Sequence, residues 1–175
     1  RVTASWARSF YFASRFVPLA TRRAIFALYD YCRSADNLVD LRGDRPVAEV
    51  RHQLTLLGAT VRALHAGAEA EHPRWLALGD TLRRHAVPLQ PLLELLDGVT
   101  TDLEPVEMRS FADLERYSYQ VAGVVGLMLG PVLGAERRGF DAHGVRLGIG
   151  MQLTTVLRVV GEDRGEGRDY LPADE

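Results

Sequence analysis

Apolar residues recur along this chain with the three-to-four-residue period of a helix, and no stretch alternates apolar and polar between hairpin turns. That pattern predicts an all-α fold. A first segment over 3–15 carries Trp6, Phe10 and Phe12 and stops before Pro18. Thr21 is placed to cap "RRAIFALYDYCRSADNLVDLR", which should run to the breaker "GDRP". Pro46 can open and Gly67 close an amphipathic helix over 46–66, and another is expected at 73–86. "PLQPLLELLDGVTTDLE" reads as helix interrupted at Gly98. Ser110 and Asp113 form a capping pair for one long helix through "LERYSYQVAGVVGLML", broken near Gly130 and Pro131. A last helix runs from about Asp141 to Val160 before the glycine-rich exit "GEDRGEGRDYLP". Short loops and no repeats make one helical bundle the simplest architecture.

Size and charge narrow the function classes. The 175 residues suffice for one domain with a real core, and 47% hydrophobic against 25% charged residues is the balance of a folding chain. Net charge is -2 and no basic run exceeds "RR", which removes the cationic face that nucleic acid requires. All the basic residues are arginine, whose planar fork suits phosphate. Cys32 is the single cysteine, so neither a disulfide framework nor a thiolate metal cluster is available, and a reducing, cytoplasmic setting is expected. "VAGVVGLMLGPVLGA" is too short and too rich in glycine for a membrane span.

The chemistry concentrates in "YDYCRSADNLVD". At about 100° per residue, Tyr29, Arg33, Asp36 and Asp40 share one stripe roughly 60° wide. It lies beside the apolar face of Ile25, Cys32 and Val39, with Leu38 and Leu41 across the helix, so the helix is expected to be buried and its acids turned toward an interior space. Two carboxylates so placed repel one another and lose hydration, and Arg33 balances only one. A magnesium ion, held by one or two carboxylates and completed by water and phosphate oxygens, would relieve both, with manganese as the substitute. The plain alternative is an Arg33–Asp36 helix pair with Asp40 solvated.

Five blocks in order, "ARSFYFASRFVP" with "RRAIFALYDYCRSADNLVD", "DGVTTDLEP", "FADLERYSYQVAGVVGLMLGPVLG" and "QLTTVLRVVGEDRGEGRDYLP", resemble the squalene/phytoene synthase family, and bacterial phytoene synthases in particular. The resemblance implies an isoprenoid synthase-type helical bundle around a central cavity. It also implies Mg²⁺-dependent, head-to-head joining of two prenyl diphosphates through a cyclopropyl intermediate, in carotenoid or terpenoid synthesis. Geranylgeranyl diphosphate giving phytoene is the leading substrate, and farnesyl diphosphate giving a squalene-type product the other. By the same resemblance Asp36, Asp40 and Asp163 hold metal, and Tyr29 and Arg33 act with them as catalytic residues. Ser9, Phe10, Tyr117, Val121, Val125, Gly126, Gln152, Arg158, Arg168 and Tyr170 are implied to bind substrate, the valines and Gly126 by leaving room for a prenyl tail. The family continues beyond "YLP", so 1–175 is expected to be a single isoprenoid synthase domain incomplete at its C-terminus.

The second acid motif departs from the family pattern. An asparagine and two aspartates at steps of four fall here on Thr155, Val159 and Asp163, and a valine cannot ligate a cation. Glu162 sits one residue, or about 100°, off the stripe. A second function class therefore stands beside the first: a catalytically impaired homologue that binds a prenyl chain or a partner protein. The five histidines lack any HExxH or paired spacing, and "GEDRGEG" lacks the phosphate-loop pattern. Cys32, Trp6 and Trp75 read as packing residues.

Overall fold

The computed structural model describes residues 12, 15–135, 137–165 and 168–173. The side chains of 137, 138, 162–165 and 168 lie outside that description, as do Ser9 and Phe10. Seven α-helices follow among the described residues: α1 (Leu19–Asp40), α2 (Val47–His65), α3 (Pro73–His85), α4 (Leu89–Thr101), α5 (Phe111–Ser118), α6 (Val124–Val132) and α7 (Arg137–Gly165). A π-turn, Tyr119–Gly123, joins α5 to α6. Two-residue strands β1 (Val106–Glu107) and β2 (Arg168–Asp169) pair in parallel, Val106 with Arg168 and Glu107 with Asp169.

Helix boundaries follow local chemistry, with corrections to the sequence reading. Pro18, not Thr21, precedes α1, and the Arg22 amide donates to its carbonyl at 2.9 Å. The C-terminal carbonyls of α1 accept from a side chain beyond the helix: Arg45 Nη2 donates to Leu38 and Leu41, each at 3.1 Å. A guanidinium there also faces the negative end of the helix dipole. Pro46 opens α2, and Gly67, at φ +96°, supplies the left-handed residue after it. His72 caps α3 by accepting the Arg74 amide on Nδ1. Gly98 does not interrupt α4. A side chain there would collide with Gln120, whose Cβ lies 2.8 Å from the position of an added methyl, so Gly98 is a close-packing site. The Ser110–Asp113 capping box is present, but the expected single helix is two helices with a π-turn between them. α6 passes through Gly130 and Pro131 to Val132, and Gly134 at φ +72° turns the chain out. α7 exceeds its expected limits at both ends.

The main core draws on α1, α2, α3, α4 and α6. Leu28, Tyr31, Val50, Val61, Leu78, Leu92, Leu95, Val124 and Met128 are all buried in it. Burial of such side chains stabilises by about 1.5–3 kcal/mol each before chain entropy is set against it. Trp75 packs on this core with the Arg74 guanidinium 5.7 Å from its ring centre, and Cys32 also packs there. A smaller core of Val106, Met108, Leu114, Tyr117, Val156 and Tyr170 lies where α5, α7 and the segment 168–173 converge. No helix among the described residues is long and apolar enough to cross a membrane.

Candidate functional site

α1 buries one face, Ala24, Leu28, Tyr31, Ala35 and Val39, and Tyr31 Oη donates to the Leu92 carbonyl at 2.6 Å. The stripe of Tyr29, Arg33, Asp36 and Asp40 is turned about 130° from that face. Arg33 and Asp36 are half-buried, while Tyr29 and Asp40 are exposed. The expectation of a helix buried all round is corrected here: Leu38 is only half-buried and Leu41 is exposed, because the apolar stripe is one-sided.

Electrostatics single out Asp36. Burial, the charge of Asp40 and, more weakly, that of Asp102 push its carboxyl up from 3.8 to about 6, against the downward pull of Arg33. Burial and the neighbouring acid together outweigh the Arg33 guanidinium. The chemistry of this acid face suits a hard cation with open positions for phosphate oxygens, carried by Asp36 and Asp40. No group of three or more His, Cys, Asp or Glu side chains among the described residues is arranged to hold a metal ion.

On α7, Gln152, Thr155 and Val159 are half-buried and Arg158 is exposed. The Thr155 hydroxyl donates to the Met151 carbonyl at 3.0 Å, which commits its proton to the helix itself. Val159 adds methyl groups. The side chain of Asp163, like that of Arg168, is outside the described residues.

Tyr117 and Tyr170 come together with an acid not singled out from the sequence. Asp102, just past α4, accepts from Tyr117 Oη on Oδ2 and from Tyr170 Oη on Oδ1, both at 2.8 Å. The two rings stack with centres 4.9 Å apart and planes at 27°. Burial, then the Asp102 charge, pushes the Tyr117 phenol well above its ordinary range. The only sequence signal for Asp102 was its place in "DGVTTDLEP", since it has no basic partner at helical spacing. Nearby, Tyr119 Oη donates to Glu94 at 2.7 Å, and burial with that bond raises its phenol to about 12.

The remaining candidates divide. Val121 packs against the smaller core, and Val125 is half-buried. Gly126 lies where α6 crosses α7: a methyl there would stand 2.5 Å from the Gly144 carbonyl carbon. A cavity of about 850 Å³ opens between α5, α7 and the segment 168–173, lined by Met108, Phe111, Leu114, Leu153, Val156 and Leu171 with Glu107 and Arg109. None of the residues expected to bind substrate is among its lining residues.

The squalene/phytoene synthase family profile matches residues 4–175. The chain is 38% identical over 187 residues to a 15-cis-phytoene synthase of Synechococcus elongatus, covering all of this chain and 60% of that protein. A phytoene synthase of Thermus thermophilus is 39% identical over 175 residues, with 99% of this chain and 58% of the relative covered. Among solved structures, a dehydrosqualene synthase in complex with ligand superposes with TM-score 0.86 at 31% identity, over 99% of this chain and 59% of the other. The chain spans about 60% of the length of these relatives.

Proposed function

The chain belongs to the squalene/phytoene synthase family, and on that premise we propose that it carries the diphosphate-binding part of a prenyltransferase joining two prenyl diphosphates head to head. Geranylgeranyl diphosphate, giving phytoene, is the substrate favoured by the relatives named phytoene synthase. Farnesyl diphosphate, giving a squalene-type product, is the shorter alternative. The observation that carries the reading is Asp36, a half-buried carboxyl raised to about 6 with Asp40 beside it, an arrangement relieved by a bound cation.

In this reading Asp36 and Asp40 hold Mg²⁺, or Mn²⁺ in its place, and Asp163 is the candidate from α7. Such a cation, when bound, stabilises the charge that develops on diphosphate as the carbon–oxygen bond breaks. Arg33 supplies a guanidinium for phosphate oxygens, and the exposed Tyr29 phenol a hydrogen-bond donor. Ser9, Phe10, Gln152, Arg158 and Arg168 complete the proposed substrate contacts, and Val121, Val125, Gly126, Tyr117 and Tyr170 the wall for the prenyl chain. A dry wall protects an allylic cation from water. An apolar product also makes peripheral membrane contact part of the reading, and Leu147 and Leu157 are exposed apolar residues on α7.

The test is product formation from labelled prenyl diphosphate with Mg²⁺ by the complete protein. A phytoene or squalene-type hydrocarbon is expected, and its absence with every chain length offered overturns the proposal. Thr155 and Val159 favour a second reading, a homologue that binds a prenyl chain or a partner without turnover, because neither offers a carboxylate. The double change Thr155→Asn and Val159→Asp separates the two. A parent already as active as the restored protein excludes the impaired reading.

A further inference from the structure

We propose that Asp102 is a positioning residue: its carboxylate latches the segment 168–173 onto the bundle and fixes the Tyr117 hydroxyl in place. The proposal deepens the reading above and rests on it only for its effect on turnover.

The geometry is that of one acceptor shared by two elements. An ionised carboxylate offers only acceptors, and both oxygens of Asp102 are taken by phenols, Tyr117 from α5 and Tyr170 from the C-terminal segment. Hydrogen bonds to a charged acceptor are about twice as strong as neutral ones. Here they are shielded, since both tyrosines are at most 7% exposed. The two phenol oxygens approach within 3.2 Å of each other, a crowding that a common anionic acceptor makes favourable by drawing both protons inward.

The segment needs such an anchor. Its backbone is joined to the bundle by a two-residue parallel pairing, by the Met108 amide donating to the Asp169 carbonyl at 3.4 Å and by the Ala173 amide donating to the Met108 carbonyl at 3.0 Å. A ladder this short has no independent stability. The Tyr170 ring, stacked on Tyr117 and bonded to Asp102, converts a weakly paired strand into part of the smaller core.

Position gives the latch a functional meaning. The charge of Asp102 is felt at Asp36, so the clasp stands within electrostatic reach of the acid face of α1. Tyr117, held by the same carboxylate, cannot turn its hydroxyl elsewhere without giving up its 2.8 Å bond to that half-buried acid. Seating the segment and orienting Tyr117 are therefore one event.

Hydrogen exchange on the complete protein tests this, read at the Met108 and Ala173 amides in the parent, Asp102→Asn, Tyr170→Phe and the double variant. Each single change is expected to speed exchange there by about tenfold, and the double change no further than the faster single. Additive effects, or parent-like exchange in Tyr170→Phe, overturn the latch. Should Asp102→Asn fail to fold, Tyr117→Phe decides: it must leave the two amides protected while Tyr170→Phe releases them. The positioning half is read in turnover of labelled prenyl diphosphate, where Asp102→Asn and Tyr117→Phe are expected to lower kcat with KM changed less than twofold. Faster exchange with kcat unchanged overturns that half. A parent without turnover counts against the prenyltransferase reading, and exchange still decides the latch.

Discussion

α1 buries seven side chains, from Ala24 to Val39, six of them in the main core, whereas α7 meets its neighbour almost backbone to backbone. Gly126 of α6 faces Gly144 of α7, and Gly148 faces the Ala122 carbonyl, with no room for a methyl at either crossing. Meanwhile Leu147, Met151 and Leu157 of α7 stay exposed. The acid stripe of α1 is thus anchored by side-chain interlock, and the corresponding stripe of α7 depends on missing side chains. The first arrangement spreads its dependence over many contacts. The second puts it on a few glycines.

The largest expected effect breaks the α7 side. Gly126→Ala places a methyl 2.5 Å from the Gly144 backbone and should cost about 3 kcal/mol in urea unfolding. Gly150→Ala, with nothing within 4 Å, should be neutral or gain up to about 1 kcal/mol from helix propensity. Equal losses at both positions would refute the backbone crossing.

The next effect sharpens the α1 side. Because the folded-state value of Asp36, about 6, lies above its ordinary 3.8, its contribution is fully present below about pH 4 and is lost as pH rises through 6. Asp36→Asn should therefore stabilise the protein by about 2 kcal/mol at pH 7.5 and by nothing at pH 4. Thermal melts at the two pH values check it. Mg²⁺ with diphosphate should shrink that advantage by stabilising only the parent.

Tyr31→Phe comes third. It leaves the Leu92 carbonyl without its 2.6 Å donor in the main core and should cost about 1.5 kcal/mol, with no change in ligand response. Smallest is Val159→Asp, at a half-buried position, which should lower stability by under about 1 kcal/mol without ligand. In exchange it should gain a rise in melting temperature with Mg²⁺ and diphosphate larger than the parent's. A response equal to the parent's would mean that position 159 does not face the bound ions.

How legible all this was depended on how local the physics is. Helix identity, the Ser110–Asp113 box and the Pro46 and Gly67 boundaries rest on a few neighbouring residues, and the sequence spells them out. The stripe of Tyr29, Arg33, Asp36 and Asp40 followed from period alone, but its half-open exposure did not, since that depends on what packs across from it. Gly98 read as a breaker because its reason lies more than twenty residues away, at Gln120. Asp102 showed only as part of "DGVTTDLEP", with no sign of its role, because its partners sit 15 and 68 residues downstream. The family resemblance supplied names for Tyr117 and Tyr170, and only the fold joined them.

The π-turn at Tyr119–Gly123 has a consequence for register. Such a turn holds one residue more than an α-helical path would, so it absorbs that residue and leaves the following helix in the phase an unbroken α-helix would give it. A single-codon deletion between 119 and 123 should heal the helix locally while keeping Gly126 and Gly130 on their partners Gly144 and Phe140. The irregular turn is a spare residue stored in the chain, and losing one residue there should be tolerated far better than losing two, which would turn α6 by about 100°.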